Sequence, residues 1–343
     1  MQKVIITGAH QAALVNVPDP TPVADWVVVQ VQIAPMCTEY KAYKAGHPVE
    51  QLGHEAAGEV VAVAQPGRVQ VGDRVVVMPQ NPCGGCTLCL AGEYIHCEDA
   101  RDFVATHGTR DGSATYAQYL LKPDYQLVPI PDGVSYDHAA MACCGLGPTF
   151  GAMQLMQVNA LDTVLISGLG PVGLGGVING VYRHARVIGV ESNPWRAQLA
   201  RELGAAAVID PTAPDALAQI RDLTRGKGVD KAIDCSGVVA AHRLCIDATR
   251  RKGQVAFVGE CNDETPLRIS PDMIRKGLTL RGSWHYNMRD TPAMMAMIGH
   301  LGPQLDKLIS HRFPMTAVQQ AWELQLTGQS AKVVLQPWET TAD

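Results

Sequence analysis

Thr163-Val-Leu-Ile-Ser-Gly168-Leu-Gly-Pro-Val-Gly173 decides the fold of this chain. A short apolar run meets a glycine turn, and Pro171 stands where a helix would take its first residue. The spacing Gly168-x-Gly170-x-x-Gly173 is weak evidence alone, because glycine-rich turns are common. Three conditions hold together here: a strand precedes it, a helix follows, and Glu191 ends the second strand, Ala185-Arg-Val-Ile-Gly-Val-Glu191. That is the pattern of a dinucleotide-binding unit, whose glycines let a pyrophosphate approach the amides of a helix N-terminus. A carboxylate at Glu191 accepts hydrogen bonds from both ribose hydroxyls and repels a 2′-phosphate, so NAD is expected over NADP. The expected cofactor-binding positions are Gly168, Gly170, Pro171, Val172, Gly173, Glu191 and Val258. Arg196, five residues after Glu191, either flanks the adenine or is a solvated helix residue. The competing account is a similar fold that holds no nucleotide.

Working outward, apolar strands alternate with amphipathic helices from about residue 145. Ala206-Ala-Val-Ile-Asp210, Lys231-Ala-Ile-Asp234 and Gln254-Val-Ala-Phe-Val-Gly259 are further strands, and Pro194–Leu203 is a helix. Near-continuous apolar strands with crossover helices predict an α/β fold with a parallel, doubly wound Rossmann sheet. Before about residue 140 the chain instead shows short β-runs cut by Gly and Pro. Trp26–Ile33, Gly58–Val63 and Gly72–Val77 are examples, and their spacing predicts a partly open β-barrel. The expected division is 145–285 for the Rossmann domain, with 1–144 and 286–343 forming the other.

Composition narrows the class. The 343 residues suffice for two domains, and the chain is 47% hydrophobic but only 5% aromatic, with 33 glycines, which favours sheets packed with small aliphatics. A net charge of −5 and no long basic run argue against nucleic acid as a partner. No apolar stretch reaches membrane-spanning length, and the N-terminus reads as a strand rather than a signal peptide. Ten cysteines in such a chain point to a reducing, cytoplasmic setting with metal or packing roles.

Four of those cysteines stand in Cys83-Gly-Gly-Cys86-Thr-Leu-Cys89-Leu-Ala-Gly-Glu-Tyr-Ile-His-Cys97. Two residues between successive thiols turn three sulfurs onto one point, and the longer loop returns the fourth. Four thiolates make a closed tetrahedral zinc site with no position for a substrate, so this zinc is structural. A disulfide pair and a redox Cys-x-x-Cys are the weaker alternatives. A second constellation is scattered: Cys37 after the strand 26–33, His54-Glu55 before the strand at Gly58, and Cys143-Cys144 where the barrel gives way to the Rossmann unit. Two thiolates, one imidazole and one open position form a catalytic zinc site. Taken singly, each of these residues is more often core packing or a satisfied histidine.

Taken together, these residues make the chain resemble the zinc-containing medium-chain dehydrogenases along nearly its whole length. Cys37, Gly53-His54-Glu55-x-x-Gly58, Gly72-Asp73-Arg74-Val75, the four-cysteine lobe and Gly168-x-Gly170-x-x-Gly173 carry the resemblance. It implies a GroES-like barrel domain, two zinc ions per chain, and a dimer or tetramer. It also implies that Cys37, His54 and Cys144 ligate the catalytic zinc, with Cys143 facing the core and Glu55 standing behind the metal. The implied reaction moves hydride between an alcohol (polyol, sugar or small secondary alcohol) and NAD. Threonine-like amino alcohols are the alternative substrates.

Two departures stand out. Two residues after its first ligand the family usually carries Ser or Thr, which passes the substrate proton outward; here that position is Glu39, and the usual following Asp is Tyr40. The proton is therefore expected to leave through Glu39, Thr38 or water. Pro148 occupies a position where alcohol dehydrogenases often place Thr. A zinc-free carbonyl or quinone reductase would lack the ligand set this chain retains, and a zinc module binding a macromolecule would need a basic lobe. Trp284, His285 and Tyr286 follow the last Rossmann strand and are expected to reach a substrate pocket.

Overall fold

The computed structural model describes residues 1–339. The chain divides into two compact units, Met1–Cys144 with the segment from Asn287 onward, and Gly145–Tyr286. Tyr286, expected at the start of the returning segment, belongs instead to the second unit. Its ring stacks on His285 at 4.9 Å and meets Phe150 edge-on at 5.6 Å, both residues of that unit.

The first unit opens with a hairpin, β1 (Gln2–Gly8) and β2 (Gln11–Asn16). Then come β3 (Trp26–Pro35), β4 (Ala56–Ala62), β5 (Arg74–Val77), β6 (Tyr119–Pro123) and β7 (Leu127–Pro129). β3 is the organising strand, because β6 flanks it antiparallel over Trp26–Gln30 and β4 over Val28–Ile33. Alternate residues Val27, Val29 and Val31 pack into the unit's core with Val75, Val77 and Trp322. Each such fully buried aliphatic contributes about 1.5–3 kcal/mol.

The second unit holds β8 (Thr163–Ser167), β9 (Arg186–Val190), β10 (Ala207–Ile209), β11 (Val229–Asp234), β12 (Thr249–Phe257) and β13 (Thr279–Gly282). All pairs are parallel and the order is β10-β9-β8-β11-β12-β13. Renumbered within the unit this is 3-2-1-4-5-6, the order of dinucleotide-binding domains. Leu165, Ile188, Ala232 and Val255 bury its centre, as near-continuous apolar strands require.

The chain then returns to the first unit with β14 (Ile309–Pro314) and β15 (Lys332–Gln336). β15 pairs antiparallel with the far end of β3, Val334 opposite Pro35 and Leu335 opposite Ala34. The Met36 amide continues that pairing onto Val333 O at 2.8 Å. The C-terminal strand thus lies beside the loop that carries Cys37.

Candidate metal centres and cofactor loop

Cys37, His54, Glu55 and Cys144 come together in the first unit, each offering a ligand atom within 4.8 Å of the others. The loop leaving β3 carries Cys37, the turn entering β4 carries His54 and Glu55, and Cys144 follows the helix Tyr136–Ala140, whose last two residues are buried, by one turn. His54 Nε2 lies 3.3 Å from Cys144 Sγ. A zinc bound by sulfur at about 2.3 Å and nitrogen at about 2.0 Å sets its donors about 3.5 Å apart, and soft thiolates with imidazole suit that metal. The donor set fits. Cys143 does not join it: its buried thiol donates to Val77 O at 3.4 Å.

Electrostatics also fit a cation. A hydrogen bond from the Cys144 thiol holds the Cys37 thiol well below its ordinary value in spite of burial, with the Lys332 ammonium and His54 assisting. The same bond and burial push Cys144 up. Glu55 and Lys332 are both fully buried and joined at 2.5 Å. Burial raises Glu55 to about 7 even though Lys332 opposes the shift. The second Glu55 oxygen accepts the Cys144 amide at 3.0 Å, so this carboxylate stands behind the ligand it supports.

Glu39 is tied to three neighbouring groups. Its Oε1 lies 3.0 Å from His54 Nδ1, and its Oε2 accepts both the Cys37 amide and the Tyr116 hydroxyl at 2.9 Å. Burial would raise this carboxyl, but the hydrogen bond and charge of His54 hold it down at about 2. Burial would likewise lower His54, yet its bonds to Cys37 and Glu39 raise it to about 11. Oε1 is thus turned to His54 and Oε2 to Cys37 and Tyr116, which gives Glu39 a supporting role behind His54, whatever its part in proton transfer. Thr38 is exposed at the surface. Two residues of the site escaped the sequence: Lys332, whose only signal is a charge inside the apolar run Ala331–Leu335, and Tyr116, which carries no signal.

The four-cysteine lobe is assembled from the short helix Thr87–Leu90 and the turns around it. Cys83 Sγ lies 3.9 Å from Cys89 Sγ, and Cys86 Sγ lies 3.9 Å from Cys97 Sγ. A tetrahedral zinc with bonds of about 2.3 Å sets its sulfurs about 3.8 Å apart. The thiols are free of disulfides. The amides of Gly85 and Cys86 point at Cys83 Sγ and bring its thiol down to about 7, favouring the thiolate a metal needs. Asn287 fastens the lobe from the returning segment, donating to Ala91 O at 2.9 Å and Glu93 Oε1 at 2.7 Å. Lys122, buried, holds the approach to the lobe through Gln80 O at 2.5 Å and Asn81 Oδ1 at 2.9 Å.

In the second unit, Gly168 follows β8 with φ +84°, and Pro171 opens the helix Pro171–Tyr182 behind the cap residue Gly170. A Cβ on Gly173 would stand 1.9 Å from Gly168 O, so only glycine lets the helix meet the turn. A Cβ on Gly170 would meet only Arg196 Nη1, at 4.0 Å, which leaves that face of the loop clear for a phosphate group. Arg196 is accordingly half-buried against the loop rather than a solvated helix residue. Glu191 Oε2 accepts the Leu169 amide and Oε1 the Asn193 amide, both at 2.8 Å. Its remaining lone pairs are available to hydroxyl donors. Val172 and Val258 are partly exposed, and the Val258 amide donates to Asp234 O at 2.9 Å. Among the residues expected to reach a substrate, Trp284 is exposed, while His285 and Tyr286 are packed inside the unit.

Fold and site together define a class, the zinc-type dehydrogenases. Residues 23–132 match the family model described as alcohol dehydrogenase GroES-like domain, and residues 171–299 that described as zinc-binding dehydrogenase. The chain is 31% identical over 349 residues to an uncharacterized zinc-type alcohol dehydrogenase-like protein of Escherichia coli, covering 96% of this chain and 97% of that one. It is 31% identical over 340 residues to an L-threonine 3-dehydrogenase of Symbiobacterium thermophilum, with 95% and 94% covered. The solved alcohol dehydrogenase of Thermus sp. ATN1 superposes with a TM-score of 0.87 at 26% identity, covering 98% of this chain and 99% of that one. The chain belongs to the zinc-type alcohol dehydrogenase family of medium-chain oxidoreductases.

Proposed function

We propose that this enzyme oxidises a polyol, sugar or small secondary alcohol to the ketone or aldehyde, reversibly, with NAD as the hydride acceptor. The observation that carries the proposal is the convergence of Cys37, His54 and Cys144 in one unit of a chain whose other unit presents a dinucleotide loop. Zinc held by those three residues supplies Lewis-acid activation that lowers the pKa of an alcohol, and NAD supplies the hydride site. The protein's own groups do the positioning. Glu39 orients His54, Glu55 with Lys332 fixes the Cys144 amide, and the Gly168–Gly173 turn leaves room for a pyrophosphate. The proton is proposed to pass to water, with Thr38 the first hydroxyl along the chain after Cys37. The closed cysteine lobe holds a second, structural zinc.

Preference for NAD rests on Glu191, which follows β9 at the position from which a carboxylate would accept ribose hydroxyls and repel a 2′-phosphate. Polyol substrates draw support from a sorbitol dehydrogenase of Halalkalibacterium halodurans and a D-arabitol-phosphate dehydrogenase of Enterococcus avium, each 28% identical to this chain. The threonine 3-dehydrogenase, at 31%, supports an amino alcohol as the second reading. The retained ligand set argues against a zinc-free quinone reductase. A homo-oligomer is supported by the open edge of β13, flanked by exposed Ile269, Ile274 and Trp284. No helix among the described residues is long and apolar enough to cross a membrane, and the ten free cysteines suit a cytoplasmic, reducing setting. The test is NAD and NADP reduction across alcohols, polyols, aldoses and threonine, with zinc measured in the same preparation. Absence of turnover on all of them by a zinc-replete enzyme would defeat the proposal.

A further inference from the structure

Tyr116 takes no part in the reaction assigned above, yet it is tied to it by one bond. Its ring is buried. The Tyr116 amide donates to Leu52 O and its carbonyl accepts from Val4 N, both at 2.9 Å, so its backbone is clamped between β1 and the turn before His54. Its ring edge lies so close to Gly53 that a Cβ there would come within 2.3 Å, and Trp322 lies 6.3 Å away on centroids. The hydroxyl therefore projects from a fixed point, and it donates to Glu39 Oε2.

Glu39 joins three separate segments. Oε2 holds the Cys37 amide and the Tyr116 hydroxyl, which fixes the carboxylate and turns Oε1 toward His54 Nδ1. An imidazole that donates its Nδ1 proton to a carboxylate presents the Nε2 lone pair to a metal, and the charge behind it makes that nitrogen a better ligand. We propose that Tyr116, acting through Glu39, is a positioning residue that sets how firmly the open site retains its metal. The inference rests on the reading of Cys37, His54 and Cys144 as that metal site. It also makes side-chain length critical. Glu39 reaches both Cys37 and His54 at once, and a shorter carboxylate anchored at the same backbone position cannot.

The experiment is zinc retention by the full-length enzyme under chelator challenge, with the lobe zinc as internal reference. Wild type should carry two zinc ions. Tyr116→Phe, which keeps the ring and removes only the donor, should release the open-site zinc about tenfold faster, and Glu39→Gln about 10–100-fold faster. Glu39→Asp should behave like Glu39→Gln. The double variant Tyr116→Phe/Glu39→Gln should be no faster than Glu39→Gln alone, because the tyrosine acts only through that carboxylate. Cobalt substituted at the open site should show altered ligand-field bands in each variant, and saturating zinc should restore most of the turnover. Retention by Tyr116→Phe equal to wild type, or multiplicative effects in the double variant, would overturn the proposal. Turnover that stays low in zinc-saturated Glu39→Gln would also overturn it, returning Glu39 to proton transfer. A wild-type enzyme holding one zinc only would overturn the metal-site reading itself, and this inference with it.

Discussion

Replacing Lys332 by Met isolates the most concentrated electrostatic element of the protein. The Lys332 ammonium and the Glu55 carboxylate are 2.5 Å apart with neither side chain exposed. Removing one member of such a pair strands the other in a medium of low polarity, which costs about 3–5 kcal/mol. The pair lies in a unit of about 200 residues, for which each kcal/mol moves the melting temperature by about 2–4 °C. The expected loss is thus roughly 6–20 °C, read by calorimetry on the zinc-replete enzyme. Met nearly matches lysine in volume, so little of this should come from a cavity. The companion double variant, Lys332→Met with Glu55→Gln, removes the stranded charge and should recover more than half of the loss. The Gln amide would still offer its oxygen to the Cys144 amide. A single variant within about 1 kcal/mol of wild type would refute the reasoning. So would a double variant as unstable as the single, since the cost would then not reside in an unpaired Glu55.

Further outcomes follow from the other sites. Cys97→Ser should lower the zinc content from two ions to one and reduce the melting temperature; an unchanged metal count would remove the lobe from the list of zinc sites. Glu191→Ser should shift the ratio of kcat/KM for NADP over NAD by about tenfold toward NADP. Because Glu191 also holds the amides of Leu169 and Asn193, KM for both cofactors should rise. Burial brings Lys122 down from 10.5 to about 7, so between those values the unfolded chain binds the extra proton. Stability should therefore rise with pH across that window, and Lys122→Met should flatten the slope of melting temperature against pH between 7 and 9.5. Parallel slopes in the two proteins would show that Lys122 is not the group responsible.

The sequence by itself determined whatever is encoded at short range. The Gly168–Gly173 turn is contiguous with its strand and helix, so the glycine spacing read together with them located a turn in which a Cβ at Gly170 would meet only Arg196. The four lobe cysteines lie within fifteen residues and could meet without help from the rest of the chain. Cys37, His54 and the pair Cys143-Cys144 stood out at strand edges and a domain boundary, but only the family resemblance singled out Cys144, and the structure turns Cys143 away to Val77 O. Glu39 was located, but its bonds to His54, the Cys37 amide and Tyr116 were not, because spacing places a residue beside a site without saying which way its carboxylate turns.

Tertiary structure decided the supporting groups. Tyr116 meets Glu39 across 77 residues, and Lys332 meets Glu55 across 277. Neither contact leaves a local pattern, because each depends on strand register rather than spacing. β15 pairs with β3 so that Val334 faces Pro35, which sends Lys332 inward to Glu55. A slip of one residue would carry the ammonium to the other face and put Val333 in its place. That choice belongs to the packing of the whole unit, since only the buried Glu55 makes an inward lysine worth its desolvation.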